Sequence, residues 1–132
     1  MQLQKVQYTQ LNSKQKENFN FYQIAAKLAE YGFASIRIGD DWNGADFYAH
    51  HIDGRTSLRI QLKSRLTFDK KYLGKDLYIA FPFESDWYLY PHDELFQHFP
   101  NIQNSGTWRC KGQYSYNHCS RAALSNLEHY KL

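Results

Sequence analysis

The sequence predicts an α/β (α+β) domain, a mixed β-sheet flanked by helices. Three observations carry that expectation. A helical apolar stripe lies near the amino end, a run of alternating strand segments punctuated by Gly and Asp follows it, and helix-capping residues return in the last third. The chain has 132 residues, enough for one domain. Hydrophobic residues make up 42% and aromatics 17%, so a core can form and intrinsic disorder is excluded as a class. Mean hydropathy is −0.72 and no apolar run approaches the roughly 20 residues of a membrane span. The opening MQLQKVQYTQ lacks the apolar stretch of a signal peptide, and two cysteines cannot make a disulfide framework. The expected setting is therefore the cytoplasm.

Each element has its own residue logic. Residues 1–10 show little periodicity and read as a loose lead-in. Asn12 or Ser13 can cap a helix, with Gln15 placed to complete a capping box with Asn12. Phe21, Ile24, Leu28 and Tyr31 then fall on one helical stripe, and Gly32 ends it. Phe33 to Ile38 alternates as a strand, and Gly39 to Gly44 reads as a loop. A second strand from about Ala45 to Ile52 meets Asp53-Gly54, a two-residue hairpin signal. The return strand, Ser57 to about Phe68, has Leu58, Ile60 and Leu62 on one side and Arg59, Gln61, Lys63 and Arg65 on the other. Leu77–Phe83 is nearly all apolar and should be central, and Trp87–Tyr90 follows as a further strand. A short helix is expected over His92–Phe99, irregular chain over Asn101–His118, and a final helix capped by Ser120 that carries Ala123, Leu124, Leu127 and Tyr130.

The hairpin brings chemistry together. With a two-residue turn at Asp53-Gly54, facing residues have numbers that sum to 107, so Asp46 sits opposite Gln61, and Lys63 lies one step further along the same face. Phe47, Ala49, Leu58, Ile60 and Leu62 occupy the other face, whose burial defends the register. Glu17 lies four residues before Phe21 and continues the helical stripe toward the helix start, where an acid suits the positive end of the dipole. The bland alternative for these residues is a solvated strand face and a helix-start acid.

The order of a helix with Glu17, a strand with Gly44-Ala45-Asp46, fourteen intervening residues and then Gln61-Leu62-Lys63 resembles the PD-(D/E)XK nuclease superfamily. That superfamily includes restriction endonucleases, Holliday-junction resolvases and other metal-dependent DNA-cleaving enzymes. The resemblance covers roughly residues 13–99 of a single nuclease-like domain and leaves a carboxyl-terminal extension, 100–132, unmatched. It implies a restriction-endonuclease-like mixed sheet and a catalytic set of Asp46, Gln61, Lys63 and Glu17. Asp46, the side-chain oxygen of Gln61 and the backbone carbonyl of Leu62 would hold Mg²⁺ or Mn²⁺. Lys63 would orient or help deprotonate the attacking water, and Glu17 would bind a second metal or water. The family's usual acid is replaced by Gln61, which removes a negative charge; Gln also occurs there in members resembling methylation-dependent restriction enzymes. The implied partner is DNA. A homodimer, or a subunit of a DNA-processing complex, is expected because cutting a duplex needs two sites.

Charge adds a separate line of reasoning. Arg55, Arg59, Lys63, Arg65, Lys70, Lys71 and Lys75 fall in one stretch with a single acid, Asp69, a local +6 against +3 for the whole chain. Such a patch suits phosphate backbones. Apart from Lys63, those residues and His50, which shares the face of Asp46, are the expected DNA-binding set. Asp76 to Glu94 carries five acids and no Lys or Arg, so a two-sided molecule is expected. Asp40 and Asp41 suit a turn better than a metal site. Cys110, His118 and Cys119 fit no standard zinc spacing. Trp42, Tyr48, Trp108, Tyr114 and Tyr116 suit packing better than base stacking. The alternative to a nuclease is a catalytically inactive relative that binds nucleic acid or another protein.

Overall fold

The computed structural model describes residues 1–42 and 44–132, with the side chains of 40–42 outside the described set. Helix α1 spans Ser13–Ala29. Its capping box is the expected one: Asn12 Oδ1 accepts from the Gln15 N–H and Gln15 Oε1 accepts from the Asn12 N–H, both at 2.9 Å. Phe21, Ile24 and Leu28 are buried. Tyr31 departs from the stripe, because the helix ends at Ala29 and the turn beyond it leaves the ring 50% exposed.

Strands β1 (Phe33–Trp42), β2 (Ala45–His51), β3 (Ser57–Leu62), β5 (Leu77–Phe83) and β6 (Asp86–Pro91) form one sheet in the order β1-β2-β3-β5-β6. The β3–β5 pair is parallel and the other pairs are antiparallel, so the sheet is mixed, as expected. Facing residues of β2 and β3 sum to 107: Phe47 with Ile60, Tyr48 with Arg59, Ala49 with Leu58 and His50 with Ser57. The turn itself is longer than expected. The last ladder bond runs from the His51 N–H to the Thr56 carbonyl (2.9 Å) and leaves four residues, 52–55, in the loop. Adding one residue on each side of Asp53-Gly54 preserves the register. The Asp53 carboxylate closes this loop by accepting from the Arg55 N–H (2.8 Å), the Thr56 N–H (2.8 Å) and the Thr56 hydroxyl (2.7 Å). These bonds hold its carboxyl well below the usual carboxylate range.

Four further elements differ from the sequence expectation. Strand β1 continues through the expected Gly39–Gly44 loop to Trp42; Asn43 lies outside the described residues. The return strand stops at Leu62 rather than near Phe68. Strand β4 (Thr67–Asp69) pairs instead with β7 (Gln113–Ser115) in a second sheet. Leu66 and Phe68 are fully buried, so the chain must bend after Leu62 to cover the far face of the main sheet. The expected irregular tract holds helices α3 (Pro100–Gln103) and α4 (Gly106–Lys111) as well as β7. The helix after Pro91 is only α2, His92–Phe96. Ser120 does cap α5 (Arg121–Leu127), accepting from the Ala123 N–H at 3.2 Å.

Both faces of the sheet are covered. Helix α1 packs Phe21, Ile24 and Leu28 on Phe47, Ala49, Ile60, Ala80 and Trp87. Fully burying one side chain of this size contributes on the order of 1.5–3 kcal/mol. On the other face Ile79, Phe81 and Tyr90 join Leu66, Phe68 and Tyr72, together with Ile102, Trp108, Ala123 and Leu127 of the carboxyl-terminal segment. Here the face that carries Gln61 differs from the solvated surface expected, because most of it lies under this second layer. Gly44, at φ +85°, leads into β2; a Cβ there would lie 2.9 Å from Leu77 Cδ1 and 3.2 Å from the Tyr72 ring, so only glycine fits without a shift.

The buried imidazole inside the second layer is partnered on both nitrogens. His92 is fully buried; its Nε2 accepts from the Asp69 N–H (3.1 Å), which leaves Nδ1 to carry the proton it donates to Asp93 Oδ1 (2.8 Å). Desolvation lowers its pKa below 6.5, against the opposing pull of Asp93 and Asp69. Below about pH 6.5 the unfolded chain therefore takes up a proton that the folded one resists. Stability should be complete above that pH and fall as acid is added, by at most about 1.4 kcal/mol per pH unit for one proton. Urea titrations between neutral and mildly acidic pH should show this slope, and His92→Gln should remove it.

Candidate functional site

Strand β2 is loosened on both sides at one residue. Toward β1 the register shifts between Arg37 and Trp42, so four residues of β1 (38–41) stand opposite the single residue Asp46. Toward β3 the ladder ends at Phe47 and Ile60. Asp46 fills the gap with its side chain, as Oδ2 accepts from the Leu62 N–H at 2.8 Å. The carboxylate thus takes the place a strand carbonyl would occupy and is fixed at the end of β3.

Around it opens a cleft of about 310 Å³ lined by Glu17, Asn20, Asp46, Gln61, Leu62, Lys63 and Ser64. A second hollow of about 510 Å³, between α1 and β1, shares Glu17 and Asp46 and adds Lys14, Asn18 and Arg37. Asp46, Gln61, Lys63 and Glu17, which the sequence reading groups, therefore line one cleft. Gln61 is buried, and among the described residues its Oε1 has no hydrogen-bond partner. Lys63 is half-buried, with Nζ 5.6 Å from the centre of the Tyr72 ring. The Lys63 N–H bonds the Ala80 carbonyl of β5 at 2.9 Å, which anchors the backbone just beyond Leu62.

Glu17 is exposed at the rim of the cleft, and its carboxylate is already engaged. Arg37 Nη2 lies 2.6 Å from Glu17 Oε1, Arg37 Nη1 donates to Asn18 Oδ1 at 2.6 Å, and Lys14 Nζ approaches Glu17 at 3.4 Å. Arg37 also covers the Phe21 ring at 4.9 Å. The sequence reading missed Arg37. The signal was available: Arg37 faces Phe47 across β1 and β2, and Phe47 points at α1, so Arg37 must reach the start of that helix.

The expected DNA-binding residues have different local partners. Arg55 lies in the hairpin loop and His50, 3.0 Å from the Ser57 hydroxyl, near that end, roughly 13 Å of strand from Asp46. Arg59 is turned back on the Lys75 carbonyl (2.6 Å) and Asp76 (3.7 Å). Lys71 shares the Tyr72 ring with Lys63, at 5.2 Å. Arg65 donates to Asn117 Oδ1, Lys70 covers Trp108 at 5.5 Å, and Lys75 is exposed. Asp40 and Asp41 have side chains outside the described residues. Cys110 is exposed and Cys119 buried; among the described residues no three His, Cys, Asp or Glu side chains gather as a metal group. Trp108 is buried, and Tyr48, Tyr114 and Tyr116 pack against the second core.

No family model and no curated protein matches this sequence. Among solved structures, the chain is similar to Archaeoglobus fulgidus Hjc, a Holliday junction resolvase from an archaeal hyperthermophile. The match has 20% identity and a TM-score of 0.47, over 59% of this chain and 74% of that one. No helix among the described residues is long and apolar enough to cross a membrane.

The Asp46–Leu62 bond makes a prediction of its own. Asp46→Ala leaves a backbone donor without its acceptor and should cost about 1–3 kcal/mol in urea unfolding. Asp46→Asn keeps an acceptor oxygen and should retain most of that stability. Arg37→Ala breaks a partly exposed pair and should cost less than about 1 kcal/mol in the same measurement.

Proposed function

We propose that the cleft hydrolyses phosphodiester bonds of DNA with the help of a divalent cation. The observation that carries this reading is the orphaned, buried Gln61 Oε1 beside the Asp46 carboxylate. A buried polar oxygen without a partner is costly, and a hard cation would satisfy it. The Leu62 N–H faces Asp46, and a strand residue's carbonyl turns to the same side as its N–H, which supplies a third oxygen. A carboxylate with two neutral oxygens suits Mg²⁺ or Mn²⁺, which accept oxygen ligands and retain water.

Such an ion, when bound, supplies Lewis acidity and a more acidic water. The chain's own residues do the rest. Asp46, fixed by the Leu62 N–H, sets where the scissile phosphate can lie. Lys63 brings an ammonium to the same cleft, where it orients the attacking water and offsets charge growing on the phosphate. Glu17, held by Arg37, is placed to accept hydrogen bonds from water in the cleft rather than to hold an ion by itself. Two copies of the chain, or a larger assembly, would supply the two sites that duplex cleavage needs.

A second reading draws on the same residues. Gln61 removes one negative charge, and two cations already engage Glu17. An inactive relative that only binds nucleic acid would tolerate both.

Incubation with supercoiled, branched and single-stranded DNA separates the two readings. Cleavage should require Mn²⁺ or Mg²⁺, vanish with chelator, and fall at least about 100-fold in Lys63→Ala. Gln61→Glu should lower the Mn²⁺ concentration needed. Salt-sensitive binding without cleavage under any of these conditions supports the inactive relative, and cleavage that survives Asp46→Ala sinks the proposed site.

A further inference from the structure

Next along the chain from the cleft is a further polar hollow of about 270 Å³, lined by Arg65, Thr107, Lys111, Gln113, Ser115 and Asn117. Ser64 lines the cleft and Arg65 lines this hollow, so the two are joined by consecutive residues. The Cα atoms of Lys63 and Arg65 can be at most about 7 Å apart.

The hollow is well braced. The Thr67 hydroxyl donates to the Arg65 carbonyl (2.9 Å), the Tyr116 N–H to the Leu66 carbonyl (2.9 Å), and the Arg65 guanidinium to Asn117 Oδ1. Ladder pairs Thr67–Ser115 and Asp69–Gln113 fix one wall. At the other wall Lys111 ends α4, and the carbonyl of the following Gly112 accepts from the Lys70 N–H at 2.8 Å.

Its charge is one-sided. From Leu95 to Leu127 the chain contains no Asp or Glu. Among the described residues no carboxylate lies within ion-pair distance of Arg65, Lys70 or Lys111; the nearby Asp69 is buried and paired with Lys71 at 3.9 Å. Exposed cations with hydroxyl and amide donors between them, and no counter-charge, suit a chain of phosphates better than a single anion.

We propose that this hollow is a subsite for the phosphodiester backbone, holding the stretch of nucleic acid next to the one that lies in the cleft. The assignment rests on the nucleic-acid reading of the cleft and extends it to the substrate. Fragments confined to the cleft should not feel the hollow, whereas longer strands should. The carboxyl-terminal extension thereby becomes part of the binding surface rather than only a cover for the core.

The test uses the full chain, labelled oligonucleotides of about 4 and about 20 nucleotides, and two salt concentrations near 50 and 200 mM. Lys111→Glu should weaken binding of the long strand roughly tenfold at the lower salt and reduce the salt slope by about one. Lys111→Arg should restore both, and the short strand should be unaffected. Lys27→Glu, on the last turn of α1, is the charge-matched control. Where cleavage occurs, the effect should appear in KM and not in kcat. Equal behaviour of Lys111→Glu and Lys27→Glu overturns the subsite, as does a wild-type chain that binds neither strand. If the Lys111→Glu penalty is present but no DNA is ever cut, the hydrolase reading fails and the subsite stands. If cleavage is normal and the penalty absent, the reverse holds.

Discussion

The molecule's arrangement depends on the pairing register of β2 and β3. Phe47, Ala49 and Ile60 have no exposed surface and meet α1 on one side of the sheet. A slip by one residue would turn that set outward and lose several kcal/mol of burial, on the order of 1.5–3 for each large side chain. Because the register is held by these apolar contacts, the polar residues between them have no freedom to rearrange. Asp46, Gln61 and Lys63 arrive at one end of the hairpin as a by-product of core packing. The Asp46–Leu62 bond then converts a frayed strand end into a fixed carboxylate.

The electrostatic character of the cleft follows from which groups are already engaged. Arg37 and Lys14 share Glu17, so it brings less negative charge to the centre than its position alone implies. Gln61 contributes an oxygen without a charge. Asp46, whose carboxylate accepts from the Leu62 N–H, is the other carboxylate that lines the cleft. Among the basic side chains, Arg59 is folded back on Asp76 and Arg55 is displayed in the hairpin loop.

Local chemistry made much of this legible in the sequence. The Asn12–Gln15 box, the sum rule of the hairpin, the apolar run Leu77–Phe83 and the Ser120 cap all act over a few residues and are encoded there. What could not be read depends on distant partners. Nothing local stops β3 at Leu62; the bend is imposed by the burial of Leu66 and Phe68 and by the pairing of β4 with a strand almost fifty residues later. Helices α3 and α4 are a turn or so long, too short for apolar periodicity to register. Arg37 escaped notice because its meaning lies in the residue it faces across β1 and β2. Sequence proximity likewise does not show that Arg59 folds back on Asp76 while Arg65 turns to Asn117.

Tyr72 ties the turn before β2 to the lysines that follow β3. Its buried ring lies against Gly44, in the turn before β2, and holds the ammonium groups of Lys63 and Lys71 near its face. Tyr72 belongs to the link between the parallel strands β3 and β5. A change in the shape of that link would tilt one aromatic plane and, with it, the aim of the cleft's amine. A substitution at this interior position would thereby be felt at the surface it supports.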